Sequence, residues 1–183
     1  MRIGIDARTI LSPQKDCAIG VGHYTYQLIK ALLKIDQENE YVIFFDFRAR
    51  EKDVRKFSGP NSRVRFYPFS DYKKYLPGVY NEILTAGALR KERLDILHST
   101  SPISRIPENY SGKTVVTFHD MAIYKIPDAF SKVRVAKEKM VYKLMARKAD
   151  KIIAVSDSIK NDLQKTFSLK SEPVVIRSGL DLR

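Results

Sequence analysis

The sequence has a single cysteine, Cys17, in 183 residues. One thiol cannot close an internal disulfide, so a bridged secreted scaffold is excluded and a reducing compartment is expected. Long apolar runs are also missing: stretches such as Tyr41-Val42-Ile43-Phe44-Phe45 fall far short of the roughly 18 residues of a membrane span. The opening Met1-Arg2-Ile3-Gly4-Ile5-Asp6-Ala7-Arg8 is charged and strand-like, so it reads as structure rather than as a signal peptide. There are three histidines, and with no close His/Cys/Asp/Glu spacing no transition-metal site is expected. The phosphate-loop pattern Gly-x-x-x-x-Gly-Lys-Ser/Thr does not occur, which argues against a nucleoside triphosphatase. Nor is there a Gly-x-Ser-x-Gly elbow, so Ser99 and Ser156 read as capping or hydrogen-bonding residues rather than nucleophiles.

What the chain does have is the material of a globular domain: 44% apolar and 30% charged residues, at a length that buries roughly 68–70% of the unfolded surface. The charge is lopsided. Lysine and arginine outnumber the acids 33 to 21, a formal net charge of +12 with a sequence pI near 9.7, so an anionic partner is expected. The excess concentrates between Ser131 and Lys151. There Lys132, Arg134, Lys137, Lys139, Lys143, Arg147, Lys148 and Lys151 face only Glu138 and Asp150, which is half of the net charge.

Short β-rich runs alternate with stretches of helical period, the pattern of a parallel sheet with crossover helices. Strands are predicted at Arg2–Asp6, Tyr41–Phe45, Val64–Tyr67, Leu94–His98, Thr114–Phe118, Ile152–Val155 and Val174–Ile176. A helix over Tyr24–Ile35 would place Tyr24, Leu28, Ala31, Leu32 and Ile35 on one face. A second, beginning after Pro77, should run from about Gly78 to Arg93. The basic stretch Lys132–Lys148 predicts an amphipathic helix whose apolar side is Val133, Ala136, Met140, Val141, Leu144 and Met145. Ser156-Asp157 is an N-cap pair for a helix to about Thr166. The fold class is α/β: a doubly wound, mostly parallel, Rossmann-like sheet in a single domain.

In such sheets ligands lie beyond the carboxyl ends of the strands. Gly20-Val21-Gly22-His23-Tyr24 leads into the first helix and offers backbone N–H groups to an anion, or simply turns the chain. A dinucleotide fingerprint would carry Gly-x-Gly-x-x-Gly directly after the strand; here the pair arrives 14 residues after Asp6 and the third glycine is absent. His119-Asp120 closes the fifth strand, where an imidazole can touch a ligand or serve as a core histidine. Asp120 orients that ring or caps the next turn, and His98 has the same two readings. The segment Arg63–Tyr75 mixes bases with aromatics, suited to stacking nucleic-acid bases, to an anionic membrane, or to ordinary strand packing under snorkelling cations.

Together these pieces resemble the N-terminal domain of family 4 (group 1) nucleotide-sugar glycosyltransferases, enzymes of GT-B type with two Rossmann-like domains. The resemblance rests on Met1–Arg8, Gly20–Tyr24, Asp95-Ile96-Leu97-His98-Ser99 and Pro107. It continues through Val116–Met121, Ala149–Leu163 and Val175-Ile176-Arg177-Ser178-Gly179-Leu180-Asp181. It implies a Rossmann-like acceptor-binding domain over residues 1–177, with residues 178–183 as the start of a hinge to an absent C-terminal domain. It further implies transfer from a nucleotide-sugar to a glycan or lipid-linked acceptor in polysaccharide biosynthesis, with retention of anomeric configuration and no protein nucleophile. His119 would be the catalytic contact to the transferred sugar. Gly20, Gly22, His23, Tyr24, Asp120 and Ser156 would bind substrate, with His23 standing where relatives commonly carry Arg. No metal or cofactor is expected, and the domain alone should fold without catalysing.

Lys73, Lys74, Lys132, Lys139 and Lys143 are the candidate contacts to an anionic membrane or acceptor, so the expected location is cytoplasmic and peripheral at the inner membrane face. Nucleic acid is not a partner on this reading. The alternative from another class is a non-catalytic basic α/β module that binds nucleic acid. A sugar-nucleotide epimerase half is disfavoured by the missing glycine pattern after the first strand.

Overall fold

A computed structural model describes residues 1–10, 20–47, 49–68 and 79–179. Seven strands, β1 (Arg2–Asp6), β2 (Glu40–Phe45), β3 (Ser62–Phe66), β4 (Ile96–Ser99), β5 (Lys113–Phe118), β6 (Lys151–Ala154) and β7 (Val174–Val175), form one sheet in the order β3-β2-β1-β4-β5-β6-β7. The chain winds outward from β1 to β3 and then returns to the other side of β1 with β4, the doubly wound arrangement expected from the alternating pattern. The helices are α1 (Val21–Ile35), α2 (Glu51–Val54), α3 (Val79–Lys91), α4 (Ala122–Lys125), α5 (Lys132–Lys148) and α6 (Asp157–Thr166). The chain divides into two compact units, residues 1–98 with 106–113 and residues 99–105 with 114–183.

In the first unit β1 pairs parallel with β2, Ile3 opposite Tyr41 and Ile5 opposite Ile43, and β2 pairs parallel with β3. The period of two sends Ile3, Ile5, Tyr41, Ile43 and Phe45 to one face, where Tyr26 and Ile29 of α1 and Phe57 cover them. Phe57 meets Phe45 and Tyr26 with ring centroids 5.3 and 5.5 Å apart, and each such buried side chain contributes about 1.5–3 kcal/mol. The opposite face carries Gly4, whose missing side chain makes room for Leu94: a Cβ there would lie 2.5 Å from its Cδ1. Two residues after α3, Arg93 stands at φ 47°, a left-handed stop usually given to glycine. Asp95 then accepts the Arg2 amide at 2.7 Å and pins the start of β1.

The second unit pairs β5 with β6 and β6 with β7, all parallel. Its core is Val116, Phe118, Ile152, Ala154 and Leu163 with Tyr142, Met145 and Ala146 of α5. Tyr142 meets Phe118 edge-on at 5.6 Å. Ser131 caps α5 by accepting the Arg134 amide at 3.4 Å, and Ser156 caps α6 by accepting the Ile159 amide at 3.3 Å.

Two helix faces differ from expectation. Helix α1 buries Gly22, Thr25, Tyr26 and Ile29, whereas Ala31 and Ile35 point outward. The inward stripe is anchored by a glycine and a threonine, which hydropathy does not mark: Thr25 donates to the Val21 carbonyl at 2.9 Å and pairs with the Thr9 hydroxyl at 2.8 Å. In α5 the buried residues are Tyr142, Met145 and Ala146, while Val133 and Met140, expected inside, are exposed. Strand ends shift by one or two residues, and β4 begins at Ile96 because Leu94 and Asp95 belong to the turn after α3.

Candidate functional site

The carboxyl end of β1 holds a buried polar cluster. Asp6 is 1% exposed. Its carboxylate accepts the Arg8 backbone amide at 3.0 Å, Arg8 Nε at 3.0–3.1 Å and Arg8 Nη2 at 2.6 Å. The Tyr67 hydroxyl donates to the same carboxylate at 3.1 Å, and the Arg8 guanidinium lies 4.3 Å from the centre of the Tyr67 ring. Burial opposes the Arg8 charge, but the Asp6 carboxylate outweighs it and raises the guanidinium above its ordinary value. Burial, then Asp6, pushes the Tyr67 hydroxyl well up, so it remains a neutral donor. Local reading of the sequence missed this cluster as a site. The Asp6-x-Arg8 spacing at a strand end was its one visible sign.

Also in the first unit, Gly20 stands at the N-cap of α1 with φ 61° and ψ −129°, a conformation open to glycine and strained for other residues. It provides no side-chain cap, and no acidic residue occupies the first turn of α1, so that turn itself brings no carboxylate to the positive end of the helix dipole. Gly22 is buried, His23 is exposed and Tyr24 is half-buried. These four residues share the first turn of one helix. Of the basic-aromatic segment, Tyr67 is buried and stacks on Phe44 at 5.3 Å. Arg65 donates to Glu92 at 2.6 Å, and Arg63 pairs with the same carboxylate at 3.0 Å. This portion is strand packing, as the plainer reading held. Lys73 and Lys74 lie outside the described residues, as does Cys17.

In the second unit the carboxyl end of β5 presents His119. Its Nε2 lies 2.8 Å from the Thr100 carbonyl; a carbonyl can only accept, so Nε2 carries the proton. Burial lowers the ring below the ordinary histidine value, against the opposing pull of the Thr100 carbonyl and Asp120, and the imidazole is neutral at pH 7. Thr100 is held by a loop that ties itself together: the Ser99 hydroxyl is 2.8 Å from the carbonyls of both Ser101 and Ser104. Within the buried run Ser99, Thr100, Ser101 and Ser104, the Ser101 hydroxyl also accepts the Ile103 amide at 3.4 Å. Ser99 organises a loop, one of the two roles read for it.

Asp120 follows His119 but bonds elsewhere, accepting the Ala122 amide at 2.9 Å to open α4. Of its two readings, the turn cap is the bond it makes. Ser156 sits at the carboxyl end of the neighbouring strand, where its hydroxyl caps α6. The β5–β6 register, Phe118 opposite Ala154, continues to bring His119, Asp120 and Ser156 to one edge of the sheet. Among the described residues no three His, Cys, Asp or Glu side chains gather as a metal site, and no helix is long and apolar enough to cross a membrane.

No curated protein matches the sequence. Among solved structures, two of Anabaena Alr3699/HepE, one in complex with UDP and glucose and one with UDP-glucose, share the fold with a TM-score of 0.62 at 15% identity. The match covers 99% of this chain but 45% and 44% of theirs, so the chain spans less than half their length. Residues 19–183 match the family model described as Glycosyltransferase Family 4. The chain therefore belongs to glycosyltransferase family 4, and its Rossmann-like α/β fold is that of an N-terminal domain of the family.

Proposed function

We propose that this domain is the acceptor-binding half of a retaining glycosyltransferase that moves a sugar from a nucleotide-sugar to a glycan or lipid-linked acceptor in polysaccharide biosynthesis. The observation that carries the reading is His119: a half-buried neutral ring at a strand's carboxyl end, aimed by a loop carbonyl, in a family 4 domain. The HepE structures hold UDP, glucose and UDP-glucose, which supports a nucleotide-sugar donor.

In this reading His119 touches the transferred sugar. Gly20 and Gly22, at the N-terminus of α1, present backbone N–H groups to the donor diphosphate, where a helix dipole favours negative charge. His23 and Tyr24 in the same turn, and Asp120 and Ser156 at the strand ends, line the substrate. The bond from the sugar's anomeric carbon to the phosphate oxygen breaks as the bond to the acceptor oxygen forms on the same face. The acceptor's proton passes to the departing phosphate. The protein positions the acceptor and stabilises developing charge, with no metal or other cofactor in this domain. A second domain, after a hinge beginning at Ser178, supplies most of the nucleotide contacts, so the present chain alone is inactive.

The test is a panel of nucleotide-sugars offered to the chain and to the protein extended through a second domain. Nucleotide release with glycan product from the extended protein only is the expected result. Turnover by the 183-residue chain, or none by the extended protein with any donor, would overturn the assignment.

A further inference from the structure

Helix α5 carries apolar side chains on two opposite sides. The inner stripe of Tyr142, Met145 and Ala146 packs into the core. The outer stripe is Val133, Ala136 and Met140, spaced three and four residues apart and so aligned on one face; Val133 is 80% and Met140 54% exposed. The exposed residues of the helix are Lys132, Val133, Arg134, Ala136, Lys137, Met140, Lys143 and Arg147: apolar and basic, none acidic. The one acid of α5, Glu138, is half-buried and held by Arg134 Nε at 2.7 Å. Lys139, expected among the surface contacts, is turned away, its ammonium 5.2 Å from the centre of the Tyr124 ring. The first turn contains no acid and begins with Lys132, against the preference of a helix dipole for negative charge at that end. Helix stability alone does not select this pattern.

A face kept only for solvation mixes both charge signs and omits exposed valine and methionine. An apolar stripe flanked by cations alone suits the boundary between acyl chains and anionic headgroups, where apolar area and charge act together. We propose that the outer face of α5 lies on an anionic lipid bilayer, with Val133 and Met140 entering the acyl boundary and Lys132, Lys137, Lys143 and Arg147 at the phosphate layer. This surface is separate from the sugar-transfer reading and does not depend on it.

The chain has no tryptophan, so Met140→Trp installs a single reporter at an exposed position. With phosphatidylcholine vesicles containing phosphatidylglycerol, its emission should shift to the blue and the chain should co-sediment. With phosphatidylcholine alone it should do neither. Val133→Glu/Met140→Glu and Lys137→Glu/Lys143→Glu should each lower partition onto the anionic vesicles by about tenfold or more, while far-UV circular dichroism and melting temperature stay near those of the parent. Unchanged partition in both double variants, or co-sedimentation without a blue shift, would overturn the proposal. So would a concentration-dependent dimer in sedimentation velocity that the Val133→Glu/Met140→Glu variant dissolves, because the stripe would then belong to a second copy.

Discussion

The carboxyl ends of β1 and β5 handle polarity in opposite ways. At β1 the carboxylate of Asp6 gathers the Arg8 guanidinium and the Tyr67 hydroxyl into a buried set with opposite charges in contact. At β5 His119 is half-buried and neutral, its Nε2 bonded to the Thr100 carbonyl of a loop. A buried carboxylate that gathers a guanidinium and a phenol from two chain segments holds a strand end in place. A half-buried ring oriented at Nε2 by a loop carbonyl is, on the function proposed above, the one that meets the ligand. On the function proposed above, prominence of charge does not mark the chemistry: the charged cluster at β1 serves the fold and the neutral ring at β5 meets the sugar.

The largest expected effect breaks the scaffold end. Asp6→Asn takes from the Arg8 cation, with a side chain only 23% exposed, the carboxylate that it contacts, and removing one partner of a buried pair costs about 3–5 kcal/mol. A drop in melting temperature of about 10 °C would follow for a chain of this size, and a drop of a degree or two would show that the cluster is not holding the strand.

Helix α5 sharpens the same contrast between fold and surface using one residue type. Met145→Ala on the buried stripe should cost about 2–3 kcal/mol, and Met140→Ala on the exposed stripe less than about 0.5 kcal/mol, read from urea unfolding midpoints. Equal midpoints in the two variants would contradict the orientation of the helix. At the α1 cap, nothing among the described residues crowds a Cβ on Gly20, so the expected cost of Gly20→Ala is that of its backbone conformation, about 1–2 kcal/mol.

The smallest effect is a pH dependence. The folded His119 ring is held below its ordinary value of 6.5, so the unfolded chain binds the proton more readily. The associated stability is present above about pH 6.5 and is lost as pH falls through the lower, folded value. Melting curves from pH 7.5 down to 5 should therefore decline less steeply in His119→Gln than in the parent. Parallel curves would remove His119 from that account.

Much of the fold was legible because its signals are local. Arg2–Asp6 and Lys132–Lys148 match their predicted limits, the first by alternation and the second by the Ser131 cap and the long periodic run behind it. The winding order followed from alternating strands and helices. Side-chain orientation was less legible. In α1 the buried face runs through Gly22 and Thr25, and in α5 two apolar stripes compete, so hydropathy has no single direction to report. The site divides the same way. His119 is visible because a strand pattern ends on it, while its partner Thr100 is 19 residues away in sequence and Tyr67 is 61 from Asp6. Contacts at such separations are made by the sheet and leave no periodic trace.

The most direct test of the division of labour is sugar-transfer turnover by His119→Ala in the two-domain protein, with its melting temperature measured in the same preparation. Turnover lowered at least about a hundredfold with melting within a degree or two of the parent is the predicted result. Intact turnover, or a fall in melting as large as that of Asp6→Asn, would return His119 to the core and contradict the account.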